Sequence, residues 1–258
     1  MKRLLLLFVL LPLGLAAQPQ RLQLVLCIGQ SNMAGRGPLD AAARDTLPGV
    51  FLFNAEGRFE PAAGPLNRYS SVRKELGMQR VGPAGSFAVA FAAATGRPVG
   101  LVVNARGGTS IDEWAGPQGR LLDSAMVRLR AAQEWGEVVA VLWHQGEADA
   151  RHPERYEARL RELVGRLRAE LGNPRLPFVF GEIARWNWTG RPEGTAPFNA
   201  MLRALRLPWS VCVSSEGLCP MKDETDPHFA AASQRELGAR YAAALLQLQS
   251  ENQPVKTF

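Results

Sequence analysis

Three polar clusters in this chain stand where apolar runs break into loops, and their side chains suit nucleophilic chemistry. The segment LVLCIGQSNMAGRG ends an apolar run with Gly29, Gln30, Ser31 and Asn32 and continues in small residues able to open a helix. A serine at a strand-to-helix turn exposes its hydroxyl and sets its N–H beside a helix start, where developing negative charge is favoured. The plainer reading is a helix cap, the commoner use of serine at that position.

Two later segments weigh on that choice. VVAVLWHQGEAD is a β-branched and apolar run ending in Trp143, His144, Gln145, Gly146 and Glu147, and KDETDPHF places Asp226 and His228 just before a strongly helical tail. Strand ends are where open α/β sheets gather ligands and chemistry. The chain holds 3 histidines, so a serine mechanism must draw its base from His144, His152 or His228. His152 sits between Arg151 and Pro153 in a charged helix-start loop and reads as a surface group. His144, at a strand end, is either an oriented site residue or a satisfied buried polar group. His228, with an acid two positions before it in a loop, is the best candidate for an oriented imidazole.

GQSNMAG, ARGGTSIDEW, WHQGEAD and DPHF followed by QRELGARYA occur here in one order. That order resembles SGNH-type hydrolases of the sialate O-acetylesterase and acetylxylan esterase-like group, from about Leu22 to Leu246. The resemblance implies Ser31 as nucleophile, His228 as general base and Asp226 as the acid orienting it. It also implies an oxyanion hole built from the Ser31 N–H, the Gly107-Gly108 pair and the Gln145 amide, with neither metal nor cofactor. Gln30, Asn32, Arg106, Trp114 and Glu147, within the same motifs, are candidate substrate contacts. Many relatives place the acid three residues before the histidine, where this chain has Thr225; Asp223 and Glu224 therefore stay open beside Asp226. An α/β-hydrolase elbow, G-x-S-x-G, does not fit, because Met33 stands at the second glycine and Ser31 follows the first strand.

Each motif residue also has a plainer use. A Gly-Gly pair after a strand is often only a tight turn. Asp112 and Glu113 suit a helix cap, Trp114 is equally a core residue or a sugar platform, and Glu147 either holds its loop or meets substrate.

The elements that must position these groups alternate between strand and helix, the pattern of a parallel sheet covered on both faces. Strands are expected at Leu22–Ile28, Val50–Phe53, Val99–Asn104, Val138–Trp143 and Phe178–Ile183, with a short sixth at Ser210–Val213. Helices are expected at Ser86–Ala94, Arg120–Gln133, Pro153–Leu171, Pro197–Leu205 and Ala230–Gln249. The predicted fold is a three-layer α/β/α sandwich with a central parallel sheet, flavodoxin-like, forming a single domain over residues 18–258. Between Asn54 and Gly85 lies a long Gly-, Pro- and polar-rich stretch, the kind of loop that usually serves function; Pro65, Leu66 and Asn67 are its candidates for shaping specificity.

Residues 1–17 pair Lys2 and Arg3 with a leucine-rich run and a small-residue exit at Leu15-Ala16-Ala17, which reads as a secretory signal and predicts a secreted or periplasmic protein. The formal net charge of +6 falls to +4 without Lys2 and Arg3. Arginines interleaved with acids on helical faces explain that excess without nucleic acid, and no stable membrane association is expected once the signal is removed. Cys212 and Cys219 flank a short loop and can close a disulfide before the His228 segment, whereas Cys27 reads as a small buried hydrophobe. Nothing here specifies an oligomeric state. The partner expected is an acetylated carbohydrate, xylan-like polysaccharide or an O-acetylated glycan such as sialic acid. A lipid or thioester hydrolase of the same fold and an inactive glycan-binding module are the alternatives.

Overall fold

A computed structural model describes residues 21–116 and 119–252. The predicted leader, residues 1–17, lies outside them. Seven strands form one sheet: β1 (Leu22–Gly29), β2 (Val50–Phe53), β3 (Phe59–Pro61), β4 (Val99–Val103), β5 (Gly136–His144), β6 (Phe178–Gly181) and β7 (Ser210–Val213), in the order β3-β2-β4-β1-β5-β6-β7. All neighbours pair in parallel except β3, which returns antiparallel to β2 at the edge. The expected parallel sheet thus carries one antiparallel edge strand, three residues long and too short to show an alternating pattern.

β1 is central, and all eight of its residues are buried. A strand covered on both faces reads as a continuous apolar run. Leu22, Leu24, Leu26 and Ile28 enter one core with residues of α4 (Arg120–Ala132), α5 (Pro153–Glu170) and α6 (Ala196–Ala204). Val25 and Cys27 enter the other with α3 (Ala84–Thr95) and α7 (Ala231–Glu251). Gln23, the polar exception, donates to Thr95 Oγ1 at 2.8 Å and to the Arg97 carbonyl at 3.2 Å. Two single-turn helices, α1 (Ser31–Ala34) and α2 (Ala41–Arg44), follow β1. The stretch between Asn54 and Gly85 is not wholly irregular: it holds β3 and two 3-10 turns, Leu66–Tyr69 and Leu76–Met78.

α3 is apolar on nearly all sides because α7 packs closely over it. A Cβ on Gly238 would overlap Ser86 Oγ and the Pro83 carbonyl oxygen, and Ser86 Oγ itself donates to the Arg235 carbonyl at 2.7 Å. The crossing needs a residue without a side chain. Gly238→Val should force the helices apart and destabilise the protein by about 1–3 kcal/mol, read as a lowered urea midpoint; an unchanged midpoint would show that the crossing tolerates bulk.

Candidate active site

β4 and β5 flank β1 on its two sides, so the crevice beyond their carboxyl ends is the switch point of the sheet, the usual ligand position of such folds. Gly29 ends β1 at φ 133°, where a Cβ would overlap the His144 carbonyl. That close approach lets the Gln30 N–H donate to His144 O at 2.9 Å and releases the chain into α1. Ser31 is the first residue of α1, which is four residues long and closes with the Gly35 N–H on the Ser31 carbonyl. The helix that the sequence suggests after Ser31 is therefore a single turn, and a turn this short has little macrodipole to offer.

His228 arrives from the loop before α7. Its Nε2 lies 2.9 Å from Ser31 Oγ, and its Nδ1 lies 2.6 Å from Asp226 Oδ1. The same carboxylate oxygen accepts the His228 backbone N–H at 3.0 Å, so the acid two positions upstream folds back onto the ring by a local turn. Trp186 Nε1 donates to the Asp226 carbonyl at 2.8 Å and its ring stacks edge-on against Phe229. Of the three acids left open by the sequence, Asp226 is the one at the imidazole. Asp223 is exposed and caps Thr225 instead, accepting from its N–H at 2.8 Å and its hydroxyl at 2.5 Å; Glu224 is exposed.

What joins these two segments is Asn32. Fully buried, it donates from Nδ2 to Glu147 Oε1 at 2.5 Å and to the Pro227 carbonyl at 3.1 Å, and it accepts on Oδ1 from the Phe229 N–H at 3.2 Å and Gln234 Nε2 at 2.9 Å. Those four bonds are the full complement of an amide. Asn32 is thus a clasp, with no donor or acceptor left for substrate, which corrects the expectation that it contacts sugar. Glu147 is buried too. Burial pushes its carboxyl up, but the neighbouring His144 imidazole and the Asn32 amide outweigh this and hold it below the usual carboxylate value. His144 stands beneath it, with Nε2 3.7 Å from Glu147 Oε1 and Nδ1 2.8 Å from the Tyr241 hydroxyl. Of the two readings open for His144, the satisfied buried one holds only at Nδ1, since the buried Nε2 has no hydrogen-bond partner among the described residues.

The remaining motif residues divide. A Cβ on Gly107 would stand 3.3 Å from Ser31 Cβ and overlap the Arg36 guanidinium, so this buried glycine faces the Ser31 turn. Among the described residues, neither the Ser31 nor the Gly107 N–H has an acceptor. Gly108 is exposed at φ 72° with Lys74 Nζ near its open side, so only the first glycine of the pair meets Ser31. Gln145 commits its amide nitrogen to Thr109 O at 2.8 Å, Asp149 Oδ2 at 2.6 Å and Gln30 Oε1 at 3.1 Å. An amide has two N–H groups, and both are used inside the protein; Gln145 is a strut rather than a free oxyanion donor, and Gln30 is buried beside it. Trp114 is fully buried, edge-on to Trp143, with Nε1 donating to Thr109 Oγ1 at 2.9 Å; it belongs to the core and is no sugar platform. Arg106 donates to the Val72 carbonyl at 2.8 Å and ties the 70–73 loop to the end of β4. Asn67 does the same from the expected specificity loop, donating to Gln79 Oε1 and Ala105 O and accepting from the Ala105 N–H. Ser110 and Glu113 form a capping box, the cap role foreseen for that turn.

Cys212 and Cys219 are both free. Cys212 lies within β7, packed against the core, while the exposed Cys219 donates its backbone N–H to Ser233 Oγ at the entry to α7, and no disulfide joins them. Cys27 is the buried hydrophobe expected, its thiol pushed up by burial. Sequence reasoning missed Arg36, Gln234 and Tyr241; each acts through contacts across more than 40 residues, which local patterns do not carry.

A mostly parallel sheet with a hydroxyl, an imidazole and a carboxylate in line beyond its central strand defines an α/β fold of the SGNH esterase kind. The chain belongs to the carbohydrate esterase, sialic acid-specific acetylesterase family, which matches residues 21–247. It is 31% identical over 252 residues to a probable carbohydrate esterase of Arabidopsis thaliana, covering 87% of this chain and 90% of that one. The crystal structure of that Arabidopsis protein superposes with a TM-score of 0.77 at 30% identity, over 89% of this chain and 99% of that one. A carbohydrate acetylesterase from Xanthomonas citri shares the fold, with a TM-score of 0.64 at 21% identity over 91% of this chain and 58% of that one.

Three outcomes follow from the clasp. Asn32→Ala should strand the Glu147 carboxylate and the Phe229 N–H, costing at least about 2 kcal/mol. Asn32→Asp should be worse at neutral pH, because it sets two carboxylates together, and should recover as pH falls and one of them takes a proton; urea melts of both variants across pH test this, and equal stability of Asn32→Asp and wild type at pH 7 would refute it. Because the Glu147 carboxyl is held low in the fold, its ionised form contributes stability that is complete above the ordinary carboxylate range and is lost as pH falls through the lower folded value. Glu147→Gln keeps an acceptor for Asn32 and should flatten that acid limb; a melting profile between pH 3 and 7 as steep as wild type would show that another group carries it.

Proposed function

We propose that this protein is a serine carbohydrate O-acetylesterase working through an acyl-enzyme. The observation that carries the reading is the hydrogen-bonded line from Ser31 Oγ through the His228 ring to Asp226. As Oγ attacks the acetyl carbonyl carbon, a C–O bond forms and the Ser31 proton passes to His228 Nε2. The carbonyl π pair moves onto oxygen, which the Ser31 and Gly107 N–H groups receive. Collapse breaks the bond to the sugar oxygen, and Nε2 returns its proton to that leaving group. Water then repeats the sequence against the acetyl-serine: its proton goes to Nε2, its oxygen bonds the carbonyl carbon, and the Ser31–carbon bond breaks as Oγ regains a proton. Acetate and free sugar leave.

The substrate we favour is acetylated polysaccharide of the xylan kind or an O-acetylated glycan such as sialic acid, which the family membership supports. The leader-like composition of residues 1–17 supports action outside the cytoplasm. Trp188 and Thr189 line a cavity of about 210 Å³ with Ala148, Ala150, Arg151 and the same Glu147 that Asn32 ties to the Ser31 turn. The apolar cavity of about 350 Å³ beneath Leu39, Leu47, Leu66 and Val89 includes none of Ser31, Gly107 and His228 in its lining, so it gives Ser31 no long acyl groove.

Acetate release from acetylated xylan, mannan, pectin and O-acetylated sialic acid, measured beside Ser31→Ala, tests the reading. We expect release by wild type and none above background by the variant. Wild-type turnover by Ser31→Ala, or a preference for octanoyl over acetyl esters, would overturn it.

A further inference from the structure

Arg36 is 9% exposed and makes no ion pair among the described residues. Burying a cation without a counter-ion is costly, so an unpaired one points to an anion that is present only at some moment. The arginine is also held still. Its Nη1 donates to the Gly35 and Met78 carbonyls, each at 2.8 Å, which pins the guanidinium plane from two sides. Its Nη2 has no acceptor among the described residues and lies over the face of Gly107 that also meets Ser31 Cβ. No Cβ fits between them. A fixed positive group therefore borders the contact between Gly107 and Ser31, two residues whose N–H groups have no acceptor among the described residues.

From this geometry we propose that Arg36 is a further catalytic residue, whose guanidinium fork supplies the charge that the single-turn α1 is too short to provide and meets the negative oxygen of the tetrahedral intermediate through Nη2. This rests on the nucleophile reading of Ser31. The substrate carbonyl is neutral and the intermediate is anionic, so the interaction strengthens as the reaction proceeds and acts on turnover more than on binding. A guanidinium stays protonated throughout the working pH range, so the contribution needs no proton transfer. It also requires no charge on the sugar.

A small neutral ester isolates the effect. With 4-nitrophenyl acetate, Arg36→Met should lower kcat by about ten- to a hundredfold, below or near the loss usual for one oxyanion donor, with KM little changed. Arg36→Lys, which keeps the charge and is the gentler change should the methionine variant fold poorly, should retain most of kcat. Guanidinium ion added to Arg36→Gly should restore part of kcat while leaving Ser31→Ala inactive, a recovery that a merely structural tie to Met78 would not give. Unchanged kcat in Arg36→Met, equal losses in the lysine and methionine variants, or a loss confined to esters of carboxylated sugars would each overturn the proposal. The last of these would mark Arg36 as an anchor for a substrate carboxylate. Activity in Ser31→Ala would instead sink the nucleophile reading itself, so the two failures are told apart.

Discussion

The amide of Asn32 is the interaction on which the site depends. Ser31 is fixed by β1, whereas His228 comes from a loop 197 residues further along the chain, and their 2.9 Å approach needs something to hold that loop in register. Asn32, the next residue after Ser31, grips the loop on both sides of His228, at the Pro227 carbonyl and the Phe229 N–H. Each bond is worth about 1 kcal/mol net, but the group is buried, and breaking it would leave polar atoms with no water to turn to. The grip is therefore close to all-or-none. Glu147 and Gln234 complete it and bind β5 and α7 to the same point, so the sheet and the last helix converge beneath the hydroxyl.

The surrounding loops are disciplined in the same manner, by buried amides and carboxylates spanning strand ends. Asn67 pins the loop before α3 to Ala105, Arg106 pins Val72, and Gln145 links Gln30, Thr109 and Asp149. Burial raises the Asp149 carboxyl above its usual range even though Gln145 and the Ile111 N–H bind it. These struts explain why several polar residues of the sequence motifs do not face the cleft. A site that must keep three long-range segments aligned needs more polar groups behind the reacting atoms than in front of them.

This division decides what could be read from the sequence. Strands β2 and β7 match the expected bounds, and the long helices end within about two residues of theirs, because their signals are local: apolar runs, glycine and proline at the ends, arginines on the outer face. β3 escaped because three residues carry no period. Ser31 and His228 were legible because each sits at an element end beside its motif, whereas the choice among Asp223, Glu224 and Asp226 needed the local turn that folds Asp226 onto the ring. The roles of Asn32, Gln145 and Trp114 were not. A polar or aromatic residue within a motif looks the same whether it turns toward ligand or toward its own scaffold, and only packing separates the two. Trp114 shows the ambiguity best: its indole N–H finds Thr109 inside the core, while Trp188, unremarked in the sequence, borders the polar cavity.

Charge placement follows from the same architecture. A long helix starting at Ser31 would supply a fixed positive end, but α1 must stop after one turn so that Gly35 and Gly37 can pass beside Val81: the Arg36 and Gly37 N–H groups both donate to the Val81 carbonyl, at 3.0 and 3.1 Å. Ending the helix there forgoes most of its dipole. It also carries Arg36, the second residue past the end of α1, across the turn to Gly107, where a side chain on the glycine would block it. The constraint that shortens the helix is thus the one that brings a full charge to the face of Gly107 beside Ser31. A localised guanidinium acts on one atom of the reacting group, whereas a helix end spreads a partial charge over several N–H groups, so the exchange favours geometric selectivity over breadth.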